Sequence, residues 1–286
     1  MSQRIKLNQR LFDLPILRGI GRSIYARRAA GESRCQSTAT RFFRNLKQLQ
    51  ALNGPLADLT DGRSPLRILV AGCSFGCEAY SLAGYLAVEA PQLEWTIDAF
   101  DISPEAVAVA QRATYGAKHG LTEPLESAWR PYAARLFQPC GNEQTIVADI
   151  RERVRVSHGD LLANDFTAAA CYDIVFAQNF LVHMDAESAV EAFARIVRAV
   201  KPAGALFVGG MDLDTKCALI GRHGLRPVDW EIESIHDSDQ MRRSAWPWGY
   251  WTLEPLDRSR PDFTARYSTI FRTPASSRDG QDGRQD

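Results

Sequence analysis

The sequence has no run of eighteen consecutive apolar residues, which excludes a helix long and apolar enough to cross a membrane. It also lacks paired CxxC spacing. Its six cysteines (Cys35, Cys73, Cys77, Cys140, Cys171 and Cys217) are scattered through 286 residues, so neither a disulfide framework nor a zinc knuckle is expected, and a reducing cytoplasm is the expected location. Histidines 119, 158, 223 and 236 show no ligand spacing, and a metal site is not expected. The first glycine turn, Ala71-Gly72-Cys73-Ser74-Phe75-Gly76, lacks the GxGxxG pattern of a pyrophosphate binder and the Lys-Ser/Thr of a phosphate loop. Nicotinamide and nucleoside-triphosphate chemistry are thereby disfavoured. Thirty-four basic residues balance 34 acidic ones, and no nucleic-acid partner is expected.

That balance is not uniform along the chain. Residues 1–50 carry eleven Lys/Arg, from Arg4 to Lys47, against only Asp13 and Glu32. Such a stretch either steers an acidic protein partner toward the chain or forms the solvated faces of short helices. Its apolar runs, Leu14-Pro15-Ile16-Leu17 and Ile20, are too short for a secretory signal, so it is read as part of the mature protein. Pro55 and Asp61-Gly62-Arg63-Ser64-Pro65 favour turns and set an expected boundary between a helical segment over 1–62 and a main domain over 63–273. From residue 274 to 286 a polar Ser/Asp/Gly/Gln tail offers nothing to bury and is expected to be disordered.

Within the main domain, strand and helix patterns alternate. Leu66 to Ala71 is an apolar run ending at Gly72, and Tyr80, Leu82, Leu86 and Val88 follow at roughly helical spacing. Trp95 to Phe100 reads as a second strand ending at Asp101, with Ser103-Pro104-Glu105 supplying a cap and first-turn proline. Val154 to Val156 and Tyr172 to Ala177 are the third and fourth strands. A helix capped by Asp185, with Ala189, Val190, Phe193, Ile196, Val197 and Val200 on one stripe, leads past Pro202 and Gly204 to a fifth strand over Ala205–Val208. Phe263, Ala265, Tyr267, Thr269 and Phe271 alternate with more polar residues and predict a final antiparallel edge pair. The βα alternation predicts a doubly wound parallel sheet.

Ligands of such sheets sit at the carboxyl ends of the strands, where Gly72 to Gly76, Asp101, Asp160 and Ala177 to His183 should converge. Gly72, Cys73, Ser74 and Gly76 let the backbone approach a cofactor closely, though a simple turn glycine accounts for Gly72 equally well. Asp101 at the end of the second strand can accept two hydrogen bonds from a ribose diol, or cap the helix that follows.

The motif Ala71-Gly72-Cys73-Ser74-Phe75-Gly76-Cys77-Glu78-Ala79-Tyr80-Ser81 resembles the first motif of the CheR-type methyltransferases, the chemoreceptor glutamate methyltransferase family. Phe100-Asp101-Ile102-Ser103, the block Tyr172 to Phe176 with Asn179, and Thr40-Arg41-Phe42-Phe43-Arg44 resemble further motifs of that family in the same order. The resemblance covers roughly residues 37–210. It implies an α/β fold, a doubly wound Rossmann-like class I methyltransferase sheet with a short N-terminal helical segment and a small β insertion over 131–157, which docks the receptor in that family. It also implies S-adenosylmethionine as cofactor, surrounded by Thr40, Arg44, Glu78, Asp101, Asp160, Leu161, Ala177 and Gln178, with Asp101 on the ribose and Asp160 near the adenine. An acidic protein substrate, reached through the basic segment and the β insertion, is the expected partner.

The departures from the pattern concern the acceptor. The helical part before Thr40 is short, Thr38 stands where the family has Asn, and Gln178-Asn179 with His183 replaces an Arg-Asn followed by Tyr. Residues 209–256 add Trp230, Trp246-Pro247-Trp248, Tyr250 and Trp251, read either as an acceptor pocket or as a lid packed on the sheet edge. Two residues are candidates for catalysis. Arg44 would orient an acceptor carboxylate or bind the cofactor's own carboxylate. His183 would take a proton from a hydroxyl or amine acceptor, or is a packed histidine. Methylation of a protein glutamate ranks first, a small-molecule or glycan-linked acceptor second, and a cofactor-binding module without transfer activity third.

Overall fold

In a computed structural model, the described residues are 40–62, 65–121, 125–163, 169–238 and 254–275, with isolated positions Leu17, Ile20, Gly21, Ser23 and Arg27. The basic stretch before Thr40, the aromatic cluster from Trp246 to Trp251 and the tail from 276 onward lie outside the described residues. No described helix is long and apolar enough to cross a membrane.

The elements follow in the order α1 (Leu46–Gln50), β1 (Leu66–Ala71), α2 (Cys77–Glu89), β2 (Trp95–Asp101), α3 (Pro104–Arg112), β3 (Thr114–Tyr115), α4 (Arg130–Leu136), β4 (Phe137–Cys140), β5 (Glu143–Ile146) and α5 (Ala148–Arg151). They continue with β6 (Val154–His158), β7 (Tyr172–Gln178), α6 (Ala186–Ala199), β8 (Val200–Gly209), α7 (Leu213–Arg222), β9 (Arg226–Pro227), α8 (Ile232–Ser238), α9 (Phe263–Tyr267) and β10 (Ile270–Arg272). Seven strands form one sheet in the order β6-β2-β1-β7-β8-β10-β9, parallel from β6 to β8, with β10 antiparallel to both neighbours.

Both faces of this sheet are covered, which explains the near-continuous apolar runs. Ile68 and Val70 of β1 point into a core shared with Leu82, Leu86 and Trp95, whereas Leu69 and Ala71 point into a second one with Val175, Phe193 and Ile196. The caps read from the sequence form as expected. The Ser103 hydroxyl accepts from the Ala106 N–H at 3.2 Å, and Asp185 accepts from the Ser188 N–H at 2.9 Å.

Four expectations need correction. The expected boundary at 62/63 is not a packing boundary, because Phe42, Phe43, Leu49, Leu52 and Leu56 are buried in the same core as β1 and α2. The expected β insertion over 131–157 has other limits: β6 belongs to the central sheet, and the separate three-stranded sheet β3-β5-β4 takes its third strand from Thr114-Tyr115. The fifth strand begins at Val200, not Ala205. Tyr172 pairs with Val200 but Ile174 with Ala205, so the irregularity absorbs Pro202, which has no N–H to donate, and Ala203 at φ 58°. Finally, Phe263–Tyr267 is a helix, with Phe263 and Tyr267 rings 5.1 Å apart at i,i+4, and the antiparallel edge pair is made by the strand that follows it, β10, with β9 at the end of the sheet.

Candidate active site

A cavity opens at the carboxyl ends of β1, β2, β7 and β8 and is lined by residues from Thr40 to Thr269. Its first wall is the glycine turn. Gly72, Ser74 and Gly76 all take left-handed backbone conformations, at φ 68°, 49° and 82°. At Gly72 a Cβ would lie 2.8 Å from the Phe180 ring, so glycine is required here by both conformation and space. At Ser74 the left-handed conformation is held in place by Asp101, whose Oδ2 accepts from the Ser74 N–H at 2.7 Å while Oδ1 accepts from the Ser103 N–H at 2.9 Å.

These bonds and the cap at Ser103 remove the helix-capping reading of Asp101. Helix α3 is capped by the Ser103 side chain, and the Asp101 carboxylate instead ties the turn between β1 and α2 to the end of β2. A carboxylate offers about four lone-pair sites. Two backbone N–H groups therefore leave both oxygens able to accept again from a diol in the cavity. At the end of β6, Asp160 lines the same space, its Oδ1 accepting from the Leu162 N–H at 2.8 Å, with buried Leu161 beside it.

The segment from Thr40 to Arg44 is fastened over the start of α2. Phe42 N–H donates to the Gly120 carbonyl at 3.0 Å, and Phe43 N–H to the Ser81 hydroxyl at 2.8 Å, while both phenyl rings are buried. Gly120 has no room for a side chain, since a Cβ would stand 2.6 Å from the Thr40 carbonyl. The two buried rings act as anchors that bring Thr40, Arg41 and Arg44 to the cavity between them. Asn45 then caps α1, and it too lines the cavity with Gln48.

On the opposite wall, Gln178 Nε2 and Asn179 Oδ1 are buried with no hydrogen-bond partner among the described residues. Asn179 is left-handed at φ 64°, and Gly210 lies against it so closely that a Cβ there would be 2.6 Å from the Asn179 Cα. A buried donor and a buried acceptor left open in a cavity fit a polar ligand that completes them. His183, on the short turn Leu181–His183, lines the same cavity.

Of the residues expected at the site, Thr40, Arg44, Gly72, Cys73, Ser74, Glu78, Asp101, Asp160, Leu161, Gln178 and His183 share this cavity. Gly76 and Ala177 do not line it. Gly76 is packed beneath Ala110, Tyr115 and Tyr80, and Ala177 is fully buried in the second core. Burial raises the Cys73 thiol far above its ordinary range and pushes Cys77 up to about 12, which removes both as nucleophiles.

The remaining part of the wall was not foreseen. Lys216, Ile235, His236, Tyr267 and Thr269 line the cavity from α7, α8 and the approach to β10. Lys216 is 2% exposed and its ammonium donates to the Ser268 carbonyl at 2.8 Å, while Arg266, equally buried, is paired with Glu254 and with Asp214. Trp230, by contrast, is absent from the cavity lining. Its indole N–H donates to the Lys47 carbonyl at 3.0 Å and its ring covers Gly54.

The family model described as CheR methyltransferase, SAM binding domain, matches residues 38–215. The chain belongs to the CheR methyltransferase family. S-adenosylmethionine is accordingly the cofactor, and the matched residues include the glycine turn, Asp101 and the open amides of Gln178 and Asn179. Among curated relatives, the Pseudomonas putida protein named probable biofilm formation methyltransferase WspC is 32% identical over 196 residues, covering 66% of this chain and 44% of the relative. The chemotaxis protein methyltransferase of Listeria monocytogenes is 28% identical over 198 residues, covering 68% of this chain and 69% of that protein. The chain thus spans less than half the length of the WspC relative and about two thirds of the Listeria one. A solved TehB-like SAM-dependent methyltransferase from Corynebacterium glutamicum shares 17% identity at TM-score 0.37, covering 79% of this chain and 91% of that one. The sheet order, rather than that distant overlay, carries the fold assignment.

Proposed function

We propose that this CheR-family chain is an S-adenosylmethionine-dependent methyltransferase that esterifies a glutamate carboxylate of a protein. The observation that supports this most is what lines the one cavity: the turn locked by Asp101, Arg44 on the segment fastened over α2, and the open Gln178 and Asn179 amides. When bound, S-adenosylmethionine supplies an electrophilic methyl carbon on a sulfonium. Asp101 and Asp160 would hold the ribose and adenine ends, with Thr40, Gly72, Ser74 and Glu78 along the rest.

A glutamate carboxyl has a reference pKa of about 4.3 and is ionised at neutral pH, so the protein need not remove a proton. What remains for the chain is positioning and water exclusion, which supply most of the rate in such displacements. Arg44 would orient the carboxylate by charge-assisted hydrogen bonds. An acidic protein reached through the basic N-terminal segment and the three-stranded sheet is the proposed partner, and the cytoplasm the proposed location. His183 on the cavity favours a second reading, a hydroxyl or amine acceptor whose proton passes to the imidazole.

The full chain, incubated with methyl-tritiated S-adenosylmethionine and protein from the expressing cells, is expected to yield label that leaves as methanol on mild base treatment. Label that survives base, or that resides in small molecules, points to the second reading. No transfer to any fraction removes the proposal.

A further inference from the structure

His236 lies on α8, outside the residues that the family model matches, and α8 is tied to α1 by the Asn45 amide donating to the Ile235 carbonyl at 3.4 Å. The imidazole is nine-tenths buried and lines the cavity, with its ring set edge-on to Tyr267 at 6.4 Å between centroids. Its Nε2 is 2.9 Å from the Glu254 carbonyl oxygen. A carbonyl can only accept, so Nε2 carries the hydrogen, and in the neutral ring Nδ1 then holds a lone pair. That Nδ1 is buried and has no hydrogen-bond partner among the described residues. Asp237 Oδ1 lies 3.5 Å from it, on a side chain that is 68% exposed and so screened by solvent.

A buried acceptor left open on a cavity wall is a recognition group for a ligand donor. The cofactor end of the cavity is formed by the turn after β1 and the ends of β2 and β6, whereas His236 comes from the elements that extend the sheet beyond β8. We infer that His236 is a specificity-determining residue on the acceptor side, its Nδ1 receiving a hydrogen bond from an N–H of the protein segment that presents the glutamate. This rests on the reading of the chain as a protein-glutamate methyltransferase. A carboxylate has no hydrogen to give, so the donor is a peptide N–H beside it. Nothing in this role moves a proton; the imidazole selects and holds the acceptor.

The test uses the full chain, its His236→Asn and His236→Phe variants, and S-adenosylhomocysteine as the cofactor-site probe. Asn places an acceptor oxygen where Nδ1 stands, and Phe offers none. Nitrogen-15 spectra of the histidine-labelled protein with S-adenosylhomocysteine bound are expected to show His236 protonated at Nε2 and bare at Nδ1, the resonance being identified by its loss in the Phe variant. A proton on Nδ1 at neutral pH overturns the inference without any acceptor being needed. With the protein fraction that takes up base-labile methyl label, His236→Phe is expected to raise the apparent KM about tenfold, His236→Asn to restore it to within threefold, and all three proteins to bind S-adenosylhomocysteine alike. Equal KM values in wild type and Phe variant overturn the inference while leaving the glutamate reading intact. Weakened S-adenosylhomocysteine binding in a folded Phe variant places the ring on the cofactor side and also overturns it. Absence of base-labile label with wild type refutes the function, and the spectra then still decide the tautomer.

Discussion

Substituting Gly72 by Ala is expected to damage the glycine turn in two separable ways. The residue sits at φ 68°, where a side chain costs about 1–2 kcal/mol. Its new Cβ would also stand 2.8 Å from two atoms of the Phe180 ring, a contact that must be relieved by moving the ring, at an overpacking cost of about 1–3 kcal/mol. The sum, about 2–5 kcal/mol, is a large share of the about 5–15 kcal/mol that holds an ordinary domain together. Removing the ring separates the two parts. In a Phe180→Ala background the Gly72→Ala change should cost only the conformational part, so a double-mutant cycle by urea unfolding is expected to give a coupling of about 1–3 kcal/mol. The ring forced aside belongs to the cavity wall, so S-adenosylmethionine affinity should fall in the single Gly72 variant. A Gly72→Ala protein within 0.5 kcal/mol of wild type, or a cycle with no coupling, refutes the packing argument.

Further predictions concern the remaining groups. Asp185→Ala should cost about 1 kcal/mol at pH 7, the usual worth of an N-cap. The Ser188 backbone N–H and hydroxyl hold the Asp185 carboxyl below its ordinary range, so this contribution is present above the unfolded value of about 3.9 and is lost as pH falls through the lower folded value. Unfolding curves of wild type and variant should therefore converge in acid, and a constant gap contradicts the cap. A thiol reagent at pH 7.5 should modify exposed Cys140 in the native protein but reach Cys73 and Cys77 only on unfolding; equal native rates contradict the burial that raises both thiols. His183→Ala is expected to lower turnover while leaving cofactor affinity within twofold, as calorimetry and transfer rates would show, and unchanged turnover removes it from the catalytic residues.

Local chemistry made the cofactor side legible in the sequence. Gly72 and Asp101 each had a rival explanation alone, but a glycine turn after one strand and an acid at the end of the next have few joint purposes in a parallel sheet. The Ser74 and Ser103 N–H groups that Asp101 accepts from are both within this constellation. The wall supplied by Lys216, Ile235, His236, Tyr267 and Thr269 was not legible because it depends on contacts between distant residues. Asn45 meets Ile235 and Gln48 meets Thr269, the Gln48 amide donating to the Thr269 hydroxyl at 2.6 Å, and no periodicity encodes either contact. Phe263, Ala265 and Tyr267 illustrate a different failure. Positions four apart fit both a period of two and one turn of helix, and only the burial of Arg266 against Glu254 selects the helix. The turn residues Pro55 and Asp61 to Pro65 misled for a third reason: a turn signal does not say whether one core is shared across it, and the burial of Phe42, Phe43 and Leu49 ties the described residues before them into the main core.

Calorimetric titration of S-adenosylmethionine into the wild-type chain and into Asp101→Ala tests the central claim most directly. Binding near micromolar, about 8 kcal/mol, is expected for the wild type and should be lost in the variant. A folded wild-type chain that does not bind S-adenosylmethionine, or an Asp101→Ala variant that binds as tightly as wild type, contradicts the assignment of this cavity.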